Sequence, residues 1–304
     1  MVPDDGMAFA ITEPAPAKIN LALHVVGQRA DGYHLLNMLV TFTRFGDRVS
    51  VAPAGTDRLT ISGRFAPQLG DGAGSNNLVL RARDRLREAL ARKNVVAPPV
   101  HLHLEKNLPI ASGIGGGSAD AAATLRALIR HWAVDMPARE LADLALELGA
   151  DVPMCLAARP LVARGIGEKI TLLETLPSFA MVLVNPLVGV ATPEIFRRLA
   201  ERHNPPLALA DPDAGGWLAA MRGMRNDLEA PARVLCPEID AVRSGLERTN
   251  PALVRMSGSG ATCFGLYDTI AAARDAAAAL EKAHPEWFVV ATESIDGRQD
   301  HGAA

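Results

Sequence analysis

Short strand-like runs dominate the N-terminal third of the chain. They cover residues 17–28 (AKINLALHVVGQ), 35–42 (LLNMLVTF), 47–53 (DRVSVAP) and 57–63 (DRLTISG), and an Asp-Gly turn signal follows the first run. Apolar and polar residues that alternate with a period of two are typical of β-strands with one buried face. The pattern therefore predicts a strand-rich, antiparallel N-terminal region.

The period of the apolar positions then changes from that of a strand to that of a helix. In residues 76–93, leucines recur among arginines, which indicates an amphipathic helix with Asn76 or Asn77 near its cap. Residues 99–108 alternate again and predict a strand. A glycine-rich loop, an alanine-rich helix of about 14 residues and a helix over 138–149 follow.

The second half of the chain repeats this mixture of strands and helices. The pattern predicts a hairpin over 160–175, a buried strand over 178–186 and a helix over 192–203 with Thr192 as its cap and Pro193 at its first position. Residues 204–216 read as a loop, and further helices and strands alternate to the end of the chain around a second glycine turn.

Neither half shows the strict strand–helix alternation of a doubly wound sheet, so the fold class expected is α+β. The length of 304 residues allows two domains. We place the boundary near Leu176, which gives an N-terminal domain over 1–175 and a C-terminal domain over 176–304.

Composition and charge narrow the classes of function. The formal net charge is −3 with acidic and basic residues interspersed, which argues against a broad nucleic-acid-binding surface. Cys155, Cys236 and Cys263 are far apart and odd in number, so we expect buried, reduced thiols in a cytoplasmic protein. The N-terminus lacks the pattern of a signal peptide, and no apolar run reaches the roughly 18 residues of a membrane span.

The most informative segment is PIASGIGGGSADAAATLRAL, residues 109–128, in which four of the five residues 113–117 are glycine. A strand, a glycine loop and the N-terminus of a helix together form an anion site, because bare backbone N–H groups can approach phosphate oxygens. The alternative is a surface loop with Ser118 as a helix cap. The Walker A and Rossmann patterns both fail, since no lysine follows the last glycine and position 118 is serine.

Three segments in the same order resemble the GHMP kinases, the family of galactose, homoserine, mevalonate and phosphomevalonate kinases. PIASGIGGGSADAA is similar to the phosphate loop of that family, PAKINLALHV (16–25) to its N-terminal motif, and RMSGSGATCFGLY (255–267) to its third, glycine-rich motif. The third motif is thought to support the phosphate loop. KINLALHVVGQRADGYHLLNML, GGGSADAA and LGADVP are most similar to the member whose alcohol acceptor carries a cytidine diphosphate.

The resemblance implies a two-domain architecture with the active site in the cleft between the domains, and ATP with Mg²⁺ as the phosphoryl donor. It implies a small-molecule cytidyl diphosphate acceptor. Charge and hydropathy lead us to expect no nucleic-acid or membrane partner, and the sequence leaves open whether the protein is a monomer or a homodimer. In this sequence Lys18 and Asp151 match the catalytic pair, in which the aspartate acts as base on the acceptor hydroxyl.

The other site residues follow from the same resemblance. Residues matched to acceptor binding are Asn20, Tyr33, His34, Thr192 and Phe196. Ser118 is a candidate contact for Mg²⁺. Residues matched to ATP binding are Asn77, Leu78, Lys106, Pro109, Ile110, Ala111, Ser112, Gly113, Ile114, Gly115, Gly116, Gly117, Ser118 and Ala119.

The residues alone leave simpler interpretations open. Asp151 could be a turn residue between a helix end and a proline, and a lone lysine on a strand, such as Lys18, is usually exposed. His101 and His103 share a strand face but have no third metal ligand in reach, so we interpret them as ordinary strand residues. Rival functions are a GHMP kinase with another acceptor, such as homoserine or mevalonate, and a nucleotide-binding protein that has lost catalysis. The run DGYH argues against the first rival, because those acceptors contain no base to stack.

Overall fold

The computed structural model describes residues 9–70, 74, 77–209 and 216–298. Its strands are β1 (Ile11–Gln28), β2 (His34–Pro53), β3 (Arg58–Ser62), β4 (Val100–Glu105), β5 (Leu161–Gly165), β6 (Lys169–Leu172), β7 (Ala180–Asn185), β8 (Leu253–Met256), β9 (Cys263–Tyr267) and β10 (Phe288–Glu293). Its α-helices are α1 (Leu78–Ala91), α2 (Gly116–His131), α3 (Ala138–Leu148), α4 (Val152–Ala157), α5 (Thr192–Arg197), α6 (Trp217–Arg222), α7 (Glu229–Leu235), α8 (Glu238–Glu247) and α9 (Ile270–Ala283). A short 3₁₀ helix covers Ala66–Leu69.

The chain divides into two compact units, and neither is a continuous segment. The first comprises Met1–Pro16, Gly46–Ile110 and Gly116–Ala157, and the second comprises Ala17–Phe45, Ala111–Gly115 and Ala158–Ala304. The long strands β1 and β2, which pair with each other, each contribute residues to both units. The boundary predicted from the sequence, near Leu176, falls inside the second unit.

The first unit contains a sheet and the helices α1 to α4. The end of β2 pairs antiparallel with β4 in the register Arg48↔Glu105, and β3 pairs parallel with β4 in the register Arg58↔His101. Along β4 the apolar side chains are buried and the polar ones between them are half-buried, as the alternation predicts. Helix α2 packs against α1 and α4 through a face rich in alanine, and small side chains allow close approach.

The second unit contains two antiparallel groups of strands. The start of β2 pairs with β5 in the register Leu36↔Gly165, and β5 forms a hairpin with β6. A separate four-stranded sheet has the order β10-β7-β9-β8, with α9 packed against β10 and β7 and α8 packed against β9. This mixture of antiparallel sheets and helices confirms the α+β prediction.

Several predicted elements are confirmed with small changes at their ends. Helix α1 begins after Asn77, whose side-chain oxygen accepts a hydrogen bond from the backbone N–H of Val79 at 2.9 Å. The predicted hairpin corresponds to β5 and β6, and the predicted buried strand corresponds to β7. The two runs 35–42 and 47–53 form one continuous strand of 20 residues, β2, because nothing between them breaks the extended backbone.

Other predictions at the local level are wrong. Helix α5 ends at Arg197 rather than at residue 203, and Asn204 instead donates its backbone N–H to the carbonyl of Val25 at 3.0 Å. Thr192 is the first residue of α5 rather than its cap, which is Ala191. Helices α4, α6 and α7 were not expected, and residues 210–215 of the predicted loop lie outside the described residues. Within the described ranges, no helix is long and apolar enough to cross a membrane.

Candidate active site

The glycine-rich loop links the two units. We call residues 109–119 the phosphate loop, and residues 111–115, which belong to the second unit, the loop tip. The backbone turns at the tip through positive φ at Ala111 (51°), Gly113 (74°) and Gly115 (66°), a conformation that glycine adopts without steric cost. Residues on either side of the tip belong to the first unit, so each unit holds a different portion of the loop.

The third glycine motif packs directly against the loop tip. A Cβ atom at Gly113 would lie 2.6 Å from the carbonyl oxygen and 2.7 Å from the nitrogen of Gly260, so no side chain fits there. The Ser257 hydroxyl accepts a hydrogen bond from the N–H of Asn20 at 3.0 Å and donates one to the carbonyl of Gly113 at 3.2 Å. Thr262 donates its hydroxyl to the carbonyl of Ser112 at 2.6 Å. These contacts agree with the supporting role expected for this motif.

Lys18 lies against the loop tip from strand β1. Its backbone N–H donates to the carbonyl of Ile114 at 2.9 Å, and a Cβ at Gly115 would lie 3.1 Å from its Cβ and 3.3 Å from its Cε. Only 4% of Lys18 is exposed, so the interpretation as a solvent-exposed strand lysine is wrong. Asn20, two residues on, is fully buried and donates its amide to the sulfur of Met38 at 3.3 Å. Its Oδ1 has no hydrogen-bond partner among the described residues.

The loop leads into the first turn of α2. The helix begins at Gly116, so Ser118 is its third residue and not a cap, contrary to the alternative that the sequence left open. The N–H groups of a first turn have no partner within the helix, and the helix dipole adds partial positive charge there. Leu78 lies beside this turn, since its Cδ1 is 3.4 Å from the position of a Cβ at Gly117. These features are those of an anion site.

Lys106 belongs to a buried charge cluster with Asp47 and Asp120. Its ammonium lies 2.5 Å from Asp47 Oδ2 and 2.7 Å from Asp120 Oδ2. Burial alone would lower the pKa of Lys106, but the charges of Asp120 and Asp47 raise it above its ordinary value. Burial raises the pKa of Asp120 to about 8, although Lys106 acts in the opposite direction. Because the ammonium is occupied by two carboxylates, the predicted nucleotide contact of Lys106 stays a prediction.

Asp151 lies in the first unit, directly before helix α4. Gly149 ends α3, and the half-buried Asp151 follows two residues later, where its carbonyl accepts the N–H of Cys155 at 3.1 Å. The turn expected at LGADVP is therefore also the start of a helix. The pairing of Asp151 with Lys18 stays a prediction.

Two of the residues predicted to bind the acceptor, His34 and Phe196, are in contact within the second unit. The His34 ring on β2 stacks on the Phe196 ring on α5, with centroids 4.7 Å apart and an angle of 24° between planes. Burial and the neighbouring charge of Arg202 lower the pKa of His34. Thr192 shares a hydrogen bond of 2.7 Å with the hydroxyl of Ser259 in the third motif. Tyr33 is 61% exposed and available to a ligand.

Sequence reasoning missed Asp47, Asp120 and Ser257. Asp120 stands inside the quoted loop motif and Ser257 inside the third motif, so both were visible, but nothing in one sequence pairs Asp47 with a lysine 59 positions later. His101 and His103 bond to the hydroxyl of Thr60, each at 2.8 Å. In the described part of the chain no group of three or more His, Cys, Asp or Glu could hold a metal. Cys155, Cys236 and Cys263 are all buried, and no disulfide joins them, as expected.

Two family models match the chain. The N-terminal domain of the GHMP kinases matches residues 77–159, and the C-terminal region of the GHMP kinases matches residues 208–286. The first match contains the phosphate loop and Asp151, and the second contains the third glycine motif.

Curated relatives are similar over almost the whole chain. A protein of Rhizobium etli named 4-diphosphocytidyl-2-C-methyl-D-erythritol kinase is 60% identical over 298 residues, which cover 97% of this chain and 99% of that protein. A protein of Rhizobium meliloti with the same name is 60% identical over 288 residues, which cover 94% of this chain and 96% of that protein.

Solved structures agree in fold. A crystal structure of 4-(cytidine 5'-diphospho)-2C-methyl-D-erythritol kinase matches with a TM-score of 0.77 at 35% identity and covers 93% of this chain and 99% of that one. A homoserine kinase from Cytophaga hutchinsonii matches with a TM-score of 0.68 at 21% identity and covers 96% of both chains, which shows a shared fold.

Proposed function

The chain belongs to the GHMP kinase family, and from this premise we propose that it transfers the γ-phosphoryl group of ATP to the 2-hydroxyl of 4-diphosphocytidyl-2-C-methyl-D-erythritol. The products are the 2-phosphate and ADP, and the step belongs to non-mevalonate isoprenoid precursor biosynthesis. Identity of about 60% to relatives with that name supports the substrate. The structural observation that carries it is the stack of His34 on Phe196, beside the exposed ring of Tyr33.

The phosphate loop is proposed to hold the triphosphate. Positive φ at Gly113 and Gly115 turns the backbone sharply before the first turn of α2, where N–H groups without helical partners favour anions. Asn77, Leu78 and Lys106 would contact the rest of the nucleotide. Leu78 supports this, because it lies beside Gly117 at the start of α2.

Lys18 and Asp151 are proposed as the catalytic pair. Phosphoryl transfer needs charge compensation on the transferred group and an acceptor oxygen held in line with it. Asp151 would accept the proton of the 2-hydroxyl, and general-base catalysis of this kind contributes about 10²–10⁴-fold. Lys18 lies against Gly115, where its ammonium would stabilise developing negative charge. The unpaired Oδ1 of Asn20 supports a hydrogen bond to the acceptor.

Mg²⁺ is proposed to arrive with ATP. Phosphate oxygens and water suit this hard cation, which often keeps several waters in enzyme sites. The described residues contain no cluster of three carboxylate, imidazole or thiolate ligands, and the half-buried Ser118 hydroxyl in the first turn of α2 fits a single protein contact. When bound, the metal would neutralise charge on the phosphates. We also propose a cytoplasmic location, in agreement with three cysteines that form no disulfide.

The substrate assignment is tested by coupled assays of ADP release. We expect rapid release with 4-diphosphocytidyl-2-C-methyl-D-erythritol and little with homoserine or mevalonate. Faster turnover of either alternative would favour the rival GHMP kinases. ATP binding without turnover of any of the three acceptors would favour a protein that has lost catalysis.

The roles of individual residues are tested by substitution. Asp151→Ala is expected to remove most turnover while ATP still binds, and a near-wild-type kcat would contradict the assignment. Tyr33→Ala is expected to raise the KM of the cytidyl substrate by about tenfold and to change that of ATP little, because stacking on a base contributes about 1–3 kcal/mol. Tyr267→Phe, at the other tyrosine, is the matched control, since that side chain is buried in β9. Equal effects of Tyr33→Ala on both substrates would disprove a role in recognition.

A further inference from the structure

In the buried charge cluster of Asp47, Lys106 and Asp120, the lysine has a proposed contact with the nucleotide, but the two carboxylates have no part in the proposed reaction. Its three residues are 1%, 3% and 4% exposed. They come from β2, from the residue after β4 and from α2, all within the first unit. Buried ion pairs seldom stabilise a fold more than well-packed apolar residues would, because desolvation offsets the attraction between the charges. Stability alone therefore does not account for this cluster.

The cluster holds the chain immediately before the phosphate loop. Asp47 Oδ1 accepts the backbone N–H of Asn107 at 2.5 Å and that of Leu108 at 2.8 Å, and its Oδ2 accepts from Lys106. Leu108 is followed directly by Pro109, the first residue of the loop. One carboxylate thus fixes three consecutive residues at the point where the chain leaves β4.

The same cluster holds the chain immediately after the loop. The Lys106 ammonium reaches Asp120 Oδ2 at 2.7 Å on the second turn of α2. It also lies 3.1 Å from the position of a Cβ at Gly116, the first residue of that helix. The ammonium therefore spans the two ends of the loop and sets the distance between them.

Both backbone groups of Lys106 also form hydrogen bonds. Its N–H donates to the carbonyl of Ser62 at 2.7 Å, and its carbonyl accepts the N–H of Phe65 at 2.9 Å. A side chain that is anchored at both its backbone and its ammonium is suited to hold other groups in place.

We propose that the cluster of Asp47, Lys106 and Asp120 is a positioning element that holds the two ends of the phosphate loop in the geometry that binds the nucleotide's phosphates. The inference rests on the proposed function. It assigns no contact with ATP to either carboxylate. It predicts that weakening the cluster reduces affinity for the phosphates and leaves affinity for the nucleoside unchanged.

The test compares Asp47→Asn and Asp120→Asn with wild type in the binding of ATP, ADP and adenosine by calorimetry. Asp47→Asn must turn an amide NH₂ toward either the ammonium or the two backbone donors, whereas Asp120→Asn can still offer its oxygen to Lys106. We expect ATP and ADP to bind roughly tenfold to a hundredfold more weakly in Asp47→Asn, and less so in Asp120→Asn, with adenosine unaffected. The matched control is Thr124→Val, which removes a buried hydrogen bond to the carbonyl of Asp120 on the same helix but leaves all charges in place. It should lower thermal stability without changing the ratio of ATP to adenosine affinity.

A second variant keeps the inference testable if the Asp→Asn variants do not fold. Asp120→Leu replaces the carboxylate on α2 by an apolar side chain and leaves Lys106 paired with Asp47, which still accepts the two backbone N–H groups. A folded Asp120→Leu variant should show the same selective loss of ATP and ADP affinity. Wild-type affinity in this variant, or an equal loss for ATP and adenosine, would overturn the inference. Failure of wild type to phosphorylate the cytidyl substrate would overturn the proposed acceptor alone, because nucleotide binding is measured without an acceptor.

Discussion

The phosphate loop is supported by different kinds of interaction in the two units. In the first unit, the ends of the loop are held by three buried charged groups, Asp47, Lys106 and Asp120. In the second unit, the loop tip is held by uncharged groups: the hydroxyls of Ser257 and Thr262 and the bare backbone of Gly260. Both supports include hydrogen bonds to backbone groups in the loop or directly before it, so they do not require large side chains in the loop itself.

The difference between the supports follows from what each portion of the loop must do. One hydrogen bond makes a net contribution of about 0.5–1.5 kcal/mol to stability, whereas a buried charge that loses its partner reduces stability by several kcal/mol. Charged groups therefore make the ends rigid at a high desolvation cost. At the tip, a carboxylate would repel the phosphates, whereas neutral donors and close backbone contacts shape the turn without adding negative charge.

The charged support should be the more costly one to break. Lys106→Met leaves two buried carboxylates without their cation, and we expect a loss of about 3–5 kcal/mol in the free energy of unfolding. Unfolding in urea measures this loss. Lys93→Met is the control, because the Lys93 ammonium pairs with Glu140 where both side chains are more than a third exposed, and it should cost less than about 1 kcal/mol. Similar losses of unfolding free energy in the two variants would show that the buried cluster is no more important for stability than the exposed ion pair.

The uncharged support should be most sensitive at its closest backbone contact. Gly113→Ala forces a Cβ against the backbone of Gly260 and a side chain into positive φ, so the tip must move. We expect kcat/KM for ATP to fall by about a hundredfold, equivalent to about 2.7 kcal/mol. Gly55→Ala is the control, since a Cβ there would have nothing but its chain neighbours within 4 Å and its φ is not positive. Equal kinetics of the two variants would show that the close contact at Gly113 is unimportant.

The hydroxyl of Ser257 tests the weaker part of the same support. Ser257→Ala leaves the N–H of Asn20 without its side-chain acceptor in a buried place, and we expect a loss of about 1–3 kcal/mol in the free energy of unfolding, with a rise in the KM of ATP. Ser259→Ala, two residues on, removes a more exposed hydroxyl pair with Thr192 and should change stability by less than about 0.5 kcal/mol. Equal free energies of unfolding in the two variants would show that the hydrogen bonds of Ser257 to Asn20 and Gly113 stabilise the loop tip no more than the exposed pair at Ser259 does.

The smallest expected effect is the pH dependence of stability that arises from His34, which belongs to neither support. Burial lowers the pKa of His34 below 6.5, so the unfolded chain takes up a proton at a higher pH than the folded chain does. The contribution of His34 to stability is therefore fully present above the pKa that it has in the unfolded chain. It is lost as the pH falls through the lower pKa that it has in the folded protein. We expect His34→Gln to reduce the acid-induced loss of stability by less than about 1 kcal/mol, because the ring is only half-buried. A larger acid-induced loss in the variant would reverse the sign and contradict the assignment.

Much of the fold was predictable because it depends on local patterns. Alternation in the N-terminal third and the helical period of residues 76–93 led to β1, β2 and α1, and residue type limited the helix cap to Asn76 or Asn77, of which Asn77 is the cap. Helix α5 was predicted too long, since its composition favours a helix beyond Arg197, whereas contacts with distant residues such as that of Asn204 with Val25 hold the chain that follows.

The candidate site was predictable only in part. The phosphate loop and the third glycine motif were recognisable as motifs, and the family that they indicated is confirmed by the matching models and relatives. The contact between the two motifs through Gly113 and Gly260 could not be predicted from the sequence, because 147 positions separate the two glycines. The stack of His34 on Phe196 was likewise outside the reach of local patterns.

The sequence by itself determined the class of fold, the family and the position of the candidate phosphate loop, because periodicity, glycine content and short motifs act over a few neighbouring residues. Only the tertiary structure decided which groups support that loop. Asp47, Lys106 and Asp120 form one cluster, and Ser257 reaches Asn20, because folding brings distant strands within hydrogen-bonding distance. Burial then gives these contacts their strength, and burial is a property of the packed protein and not of any segment of its chain.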